Sequence, residues 1–210
     1  MIALRVWNKF RRFIRSANVR NKSKQLTNKN FSVISKDCTG ALLLHELGLK
    51  FNSPTVNLYF TAGDFVKFCA DLKRYLSLPV VQDFENDKNF PVGILDDIKV
   101  YFMHYQNFDE AVAKWYERSK RIDFDNLFIM MTDGEYSSPE IVKQFDVLPY
   151  KHKVLFTYKD YPDVKSAVKL NIKNPVSNGI GAPHVFSWPE IFSFKQAVDD
   201  WDYIKFFNAE

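Results

Sequence analysis

Three short stretches carry side chains able to do chemistry. Cys38 stands in the turn Lys36-Asp37-Cys38-Thr39-Gly40, directly before a helical pattern. Amide donors and the helix dipole at such a place lower a thiol's pKa, which is how a nucleophilic cysteine is made. Asp133 and Glu135 flank Gly134 just after a continuous apolar run, and carboxylates so spaced offer a divalent cation the hard oxygen ligands it takes. His104, near the end of a strand pattern, is a candidate general base. Ser35, Asp37 and Thr132 stand beside these groups as candidate cofactor-binding residues. The candidate catalytic set is therefore Cys38, His104 and Asp133, and the candidate metal ligands are Asp133 and Glu135. Each has a plainer reading: a small, partly buried turn residue for Cys38, and local turn chemistry for Asp-Gly after a strand. His45 follows Cys38 by seven residues, so on one helix the two would stand about 10 Å apart, too far to pair. Cys69 lies on an apolar helical face and reads as core.

Other chemistries have no support. The four histidines (His45, His104, His152, His184) are scattered and no C-x-x-C, H-x-H or H-E-x-x-H occurs, so zinc is not expected. Gly179-Ile180-Gly181 is followed by Pro183 without a strand–helix context, which speaks against a dinucleotide loop. G-x-S-x-G and the P-loop pattern are absent.

The elements that must position these residues alternate between strand and helix. Residues 31–35 form a β-rich run, and a helix pattern over 41–47 stops at Gly48. A second strand is predicted over 55–60, then a helix capped by Asp64 and closed by Pro79. Residues 91–95 and 98–105 read as a β-hairpin turning at Asp96-Asp97. A helix capped by Asn107 or Asp109 runs to about Arg121, and residues 127–131 are a strand buried on both faces. Ser138-Pro139 starts a helix, 154–157 is a strand, and 158–186 holds a short helix and the turn at Gly179. Ser187-Trp188-Pro189-Glu190 reads as a capping box for a last helix reaching Phe207. The pattern predicts an α/β fold: a three-layer domain with a mostly parallel sheet and an inserted antiparallel hairpin. In open sheets of this kind ligands sit outside the carboxyl ends of the strands, where the three stretches fall.

Composition bounds the class. An aromatic fraction of 16% excludes disorder, and two cysteines in 210 residues exclude a disulfide scaffold. The longest aliphatic runs, at 41–44 and 127–131, are far short of the roughly 20 residues of a membrane span. The net charge of +4 hides a split: residues 1–29 hold nine basic side chains and no acidic one, leaving 20 basic and 25 acidic groups in the remainder. A basic N-terminal arm and linker (1–29) thus precedes a single α/β domain (30–210), and the acidic body gives no reason to expect nucleic acid. In the arm, Ile2, Ala3, Val6, Trp7, Phe10, Phe13, Ile14 and Ala17 fall within an arc of about 140° on a helical wheel, with Leu4 outside it. This amphipathic helix from Ile2 to Ala17 suits an anionic membrane surface. It equally suits docking on the protein's own body, and an Arg-rich targeting or nucleic-acid arm is a third reading. No apolar core follows the charges, so a secretory signal is not expected.

From Phe31-Ser32-Val33-Ile34-Ser35-Lys36-Asp37-Cys38 through Leu47-Gly48-Leu49-Lys50-Phe51-Asn52-Ser53-Pro54-Thr55, the sequence resembles a bacterial family related to exopolysaccharide biosynthesis (domain-of-unknown-function family 1919). His104-Tyr105, Thr132-Asp133, Leu148-Pro149 and Asp202-Tyr203-Ile204 continue the resemblance over residues 28–208. Asp37 stands where the family pattern has Asn, and Thr39-Gly40-Ala41 replaces a bulkier stretch. The resemblance implies an α/β fold and a setting in surface-polysaccharide assembly, with no catalytic residue to transfer. Asp133-Gly134-Glu135 is also similar to the acidic pair with which sugar-nucleotide transferases hold a divalent ion and diphosphate. Together these lead to the expectation of a cytoplasmic enzyme, peripheral at the inner face of the membrane, that transfers a sugar or substituent group from a sugar nucleotide or a lipid-linked glycan, with a divalent metal ion as cofactor. The alternatives are a non-catalytic glycan- or partner-binding protein of the same pathway, and a Cys38-dependent acyltransferase or hydrolase.

Overall fold

The computed structural model describes residues 2–134, 137–173, 175 and 179–209. In chain order the elements are α1 (Ile2–Ser23), β1 (Ser32–Ser35), α2 (Thr39–Glu46), α3 (Ala62–Ala70), α4 (Leu72–Ser77), β2 (Val81–Gln82), β3 (Val92–Leu95) and β4 (Ile98–Tyr101). They continue with α5 (Phe108–Ser119), β5 (Leu127–Thr132), α6 (Pro139–Asp146), β6 (His152–Thr157), β7 (Ala167–Lys169), α7 (Ala182–Val185), a 3₁₀ turn at Ala197–Asp200 and α8 (Tyr203–Phe207).

Strands β1, β5, β6 and β7 form one parallel sheet in that order, with Val33 opposite Phe128 and Met130 opposite Val154. Every residue of β1 and β5 is buried, as a strand covered on both faces requires. Because side chains alternate along a strand, Ile34, Ile129, Met131 and Leu155 point into one core, with the buried faces of α3, α5 and α6 and the antiparallel strands. Val33, Phe128, Met130, Val154 and Phe156 point into the other, with α2, α7, α8 and Val19 of α1. This is the expected three-layer α/β arrangement. The hairpin forms its own antiparallel sheet with β2, in the order β2-β3-β4. Its turn is where the pattern placed it, with Asp96 at φ 57°, a backbone that Asp tolerates.

Four local expectations are corrected. Residues 55–60 are not a strand: Tyr59 makes a single bridge with Tyr101 (2.9 Å in each direction), while Phe60 N donates to the Lys36 carbonyl (2.9 Å). Ser53 and Thr55 side chains take the outer edge of β1 instead, Ser53 Oγ donating to the Val33 carbonyl (2.5 Å) and Thr55 Oγ1 accepting from Ser35 N (3.0 Å). Side-chain hydroxyls thus satisfy an edge that would otherwise invite another strand, and the segment ties the two sheets together. The helix expected from an Asp64 cap to Pro79 starts at Ala62, capped by Thr61, and breaks at Asp71 into α3 and α4. The polar stretch after Ala17 stays helical to Ser23, because Val19 is drawn into the core (4% exposed). No helix begins at Ser187; Asp199 is instead bound to Arg15 and to Gln196 N (2.8 Å), and only the 3₁₀ turn and α8 form. These hydrogen bonds, one local and one from a residue 184 positions away, outcompete a continuous helix.

α1 docks on the body through a buried ion-pair cluster. Arg15, 6% exposed, reaches Asp199 (2.6 and 3.1 Å) and Glu46 (2.5 and 2.8 Å). Burial alone would lower the guanidinium's pKa, but the hydrogen bonds and charges of Glu46 and Asp199 outweigh it and raise it. No helix among the described residues is long and apolar enough to cross a membrane.

Candidate functional site

The carboxyl end of β1 runs into Lys36-Asp37-Cys38, and α2 starts at once. Gly40 makes this sharp entry sterically allowed, since a Cβ there would stand 2.8 Å from Ser35 Cβ and 2.9 Å from Val33 Cγ1. Ser35 Oγ accepts from Gly40 N (3.1 Å) and Asp37 Oδ1 accepts from Thr39 N (2.9 Å), so the turn is braced at both ends. From the neighbouring strand, Thr132 Oγ1 donates to Asp37 Oδ2 (2.7 Å). Above this platform opens a cavity of about 1010 Å³, the size of a site for a small organic ligand.

Its lining draws on distant parts of the chain. Lys36, Asp37 and Cys38 come from the β1 turn, His45 from α2, Tyr59 and Thr61 from the bridging segment, Lys88, Tyr101 and His104 from the antiparallel layer, Arg118 from α5, and Gly179 to His184 from the loop into α7. Among the described residues, three cations and three imidazoles line it with one carboxylate, Asp37. The Tyr59 and Tyr101 rings stack at 4.6 Å with 8° between planes, an aromatic wall for a planar or saccharide ring. Arg118 Nη1 donates to Tyr105 OH (2.9 Å), which holds the guanidinium in place. His184 Nδ1 accepts from Gly181 N (3.2 Å), which puts the ring's proton on Nε2.

Of the residues singled out in the sequence, Asp37, Cys38 and His104 do meet in this cavity. Ser35 and Thr132 are 1% exposed and support the turn from beneath, rather than contacting a ligand. Asp133 is not on the rim. It is 1% exposed, and its Oδ2 accepts from Thr157 Oγ1 (3.1 Å) and Tyr161 OH (3.2 Å). Burial, with the Asp133 charge, pushes the Tyr161 phenol up to about 12, so it stays a donor. The Asp133 carbonyl accepts from Ile180 N (2.8 Å) and thereby seats the cavity loop. Gly179, at φ 113°, passes so close that a Cβ would stand 2.5 Å from that carbonyl. Glu135 lies outside the described residues. Among the described residues no three His, Cys, Asp or Glu side chains converge as a metal site, and both hydroxyls reach Asp133 through Oδ2.

The thiol behaves opposite to the expectation from helix position. Burial and the adjacent Asp37 carboxylate push Cys38 up to about 11, against the weaker opposing effect of the Asn57 and Leu58 amides. Loss of water and a charge one residue away thus outweigh the two amides. Asn57 adopts φ 65° there, and its carbonyl accepts from His104 N (3.4 Å), linking the thiol's surroundings to the imidazole's segment.

Sequence reasoning missed Lys36, Lys88, Arg118, His184 and the stacked tyrosines. A signal was present for one group: Gly181-Ala182-Pro183-His184 has the Gly-then-Pro form of a helix start, and the loop feeding it lines the cavity. The others carry no local signal, because only the packing of the bridging segment, hairpin and α5 brings them together.

Comparison with known proteins bears out the family of the resemblance, without its link to exopolysaccharide biosynthesis. A family model described as a domain of unknown function (DUF1919) matches residues 9–208, reaching well into α1. The chain is also 40% identical over 201 residues to an uncharacterized protein of Haemophilus influenzae, covering 96% of this chain and 94% of that one. With nearly the whole length matched, from the helix that anchors Arg15 to the cap of α8, the chain belongs to the DUF1919 family.

Proposed function

We propose that the cavity binds a phosphorylated sugar, a sugar nucleotide or lipid-linked glycan, and that the protein transfers a sugar or substituent group from it during surface-polysaccharide assembly at the cytoplasmic face of the membrane. The observation that carries this reading is the charge of the described lining: Lys36, Arg118, Lys88 (which also pairs with Asp87 at 2.9 Å) and three imidazoles, with Asp37 the one carboxylate among the described lining residues. Such a set attracts an anion and meets charge developing on a leaving phosphate. The Tyr59–Tyr101 wall suits the flat face of a base or sugar ring. The early resemblance to a family related to exopolysaccharide biosynthesis points to the same substrate class. In this reading His104, exposed in the cavity, takes the proton from an acceptor hydroxyl. Cys38 stays a neutral thiol beside Asp37 and lines the pocket without attacking.

A second reading is recognition without turnover, favoured by the closed environment of Asp133 and by a thiol held protonated. Titration calorimetry with a nucleoside diphosphate sugar and with the free sugar tests the common part. The phosphorylated ligand should bind and the free sugar should not. Lys88→Ala should weaken binding about tenfold, as for one charged hydrogen bond. Equal binding of both ligands, or none of either, would overturn the assignment. Release of nucleoside diphosphate, lost in His104→Ala with binding retained, separates the enzyme from the binding protein.

A further inference from the structure

We propose that the outward face of α1, together with residues 191–194, is a docking surface for an anionic lipid bilayer. The helix leaves Val6, Phe10 and Phe13 of its apolar arc exposed, while Trp7, Ile14 and Ala17 are half-buried. Its grip on the body comes from Arg11, Arg15, Val19 and Lys22: Arg15 enters the Asp199–Glu46 cluster, Arg11 lies over the Trp188 ring at 4.3 Å, and Lys22 over Tyr203 at 4.7 Å. At about 100° per residue these four positions lie on a side of the helix well removed from Val6, Phe10 and Phe13. Those three therefore face outward, 62%, 49% and 64% exposed. Trp7 lies between the two sides, its Nε1 donating to the Ile191 carbonyl (2.6 Å), which Arg11 Nη1 also reaches (3.1 Å).

A second element extends the patch. Ile191, Phe192 and Phe194 are 64%, 76% and 39% exposed, and ring contacts join them to the helix: Trp7 with Phe192 at 5.7 Å and with Phe194 at 5.3 Å, Phe10 with Phe194 at 6.1 Å. Side chains of this size at these exposures present on the order of 700 Å² of apolar surface, more than a lone soluble domain usually shows. The charge around it selects the occupant. Arg5, Lys9 and Arg12 are exposed beside Val6, Phe10 and Phe13, and residues 1–29 contain no carboxylate. On the loop side Glu190 is paired with Lys173 and Asp200 with Lys195. Aromatic and aliphatic side chains flanked by unopposed cations match the acyl boundary and headgroups of an anionic leaflet.

Co-sedimentation of the full chain with vesicles tests this. Vesicles of phosphatidylcholine with about 30% phosphatidylglycerol should bind it, pure phosphatidylcholine should not, and added salt should release it. Phe13→Asp and Phe192→Asp, both at exposed positions, should each weaken binding about tenfold or more while the circular dichroism stays unchanged. Arg12→Glu should act the same way at low salt only. Absence of binding to the anionic vesicles would overturn the proposal, as would full binding by both aspartate variants. A dimer of the full chain in light scattering that Phe192→Asp dissolves, without vesicle binding, would assign the patch to a second copy and overturn it as well.

Discussion

Thr132, the last residue of β5, donates its hydroxyl to the Asp37 carboxylate beyond the end of β1 at 2.7 Å, while the other oxygen of Asp37 accepts from Thr39 N at 2.9 Å. Two adjacent parallel strands are thereby joined at the floor of the cavity, and its only lining carboxylate among the described residues is fixed in direction. Thr132→Val keeps the shape and removes the donor. It should cost about 1.5–3 kcal/mol in urea unfolding, the net value of a hydrogen bond to a charged group. Ligand affinity in calorimetry should fall more than stability does, since Asp37 is then free to turn.

Cys38 should be a sluggish thiol. With its pKa pushed up to about 11 by burial and the Asp37 charge, its thiolate fraction at neutral pH is about a hundredfold below that of an ordinary cysteine. Iodoacetamide modification should be correspondingly slow, and its rate should keep rising with pH beyond 9. Asp37→Asn removes the charge that raises the value and should speed the reaction near neutrality. Cys69, fully buried, should not react in the folded protein. Fast modification of Cys38 below pH 7 would restore the nucleophile reading.

Arg15→Met leaves the buried Asp199 and the half-buried Glu46 without their shared cation. The loss should be about 3–5 kcal/mol by chemical denaturation, the range for removing one partner of a buried pair. It should also detach α1, seen as new proteolysis within residues 2–23. Exposed pairs such as Lys169–Asp160 should contribute less than about 1 kcal/mol by the same measurement.

The hairpin turn should show in acid titration. Lys67 and the Tyr75 hydroxyl hold Asp97 down to about 2. An aspartate whose folded pKa is below its unfolded value stabilises the fold above about pH 4 and loses that contribution as pH falls toward 2. Asp97→Asn should therefore lower stability at neutral pH and flatten the decline between those limits, measured by urea midpoints at each pH.

The parallel core and the hairpin were legible because their signals are local. A continuous apolar run at 127–131 requires burial on both faces, Ser138-Pro139 starts a helix, and the Asp96-Asp97 turn makes a hairpin. The errors fall where side chains compete with backbone patterns. Thr55 reads as a strand residue by composition, yet its hydroxyl serves the edge of β1; Ser187-Trp188-Pro189-Glu190 has the form of a cap, yet Asp199 is taken by a residue 184 positions away. No window of sequence contains that competitor.

The same division holds for the site. Chain order alone determined that Asp37 and Cys38 follow a buried strand and precede a helix, and therefore that they stand at a strand's carboxyl end. Folding decided that Asp133 turns inward to Thr157 and Tyr161, while Lys88, Arg118 and His184 come to face the same cavity. Local identity sets backbone geometry within a few residues, but solvent access, charge pairing and the meeting of distant side chains depend on how whole layers pack. For this protein those are the quantities on which its chemistry rests.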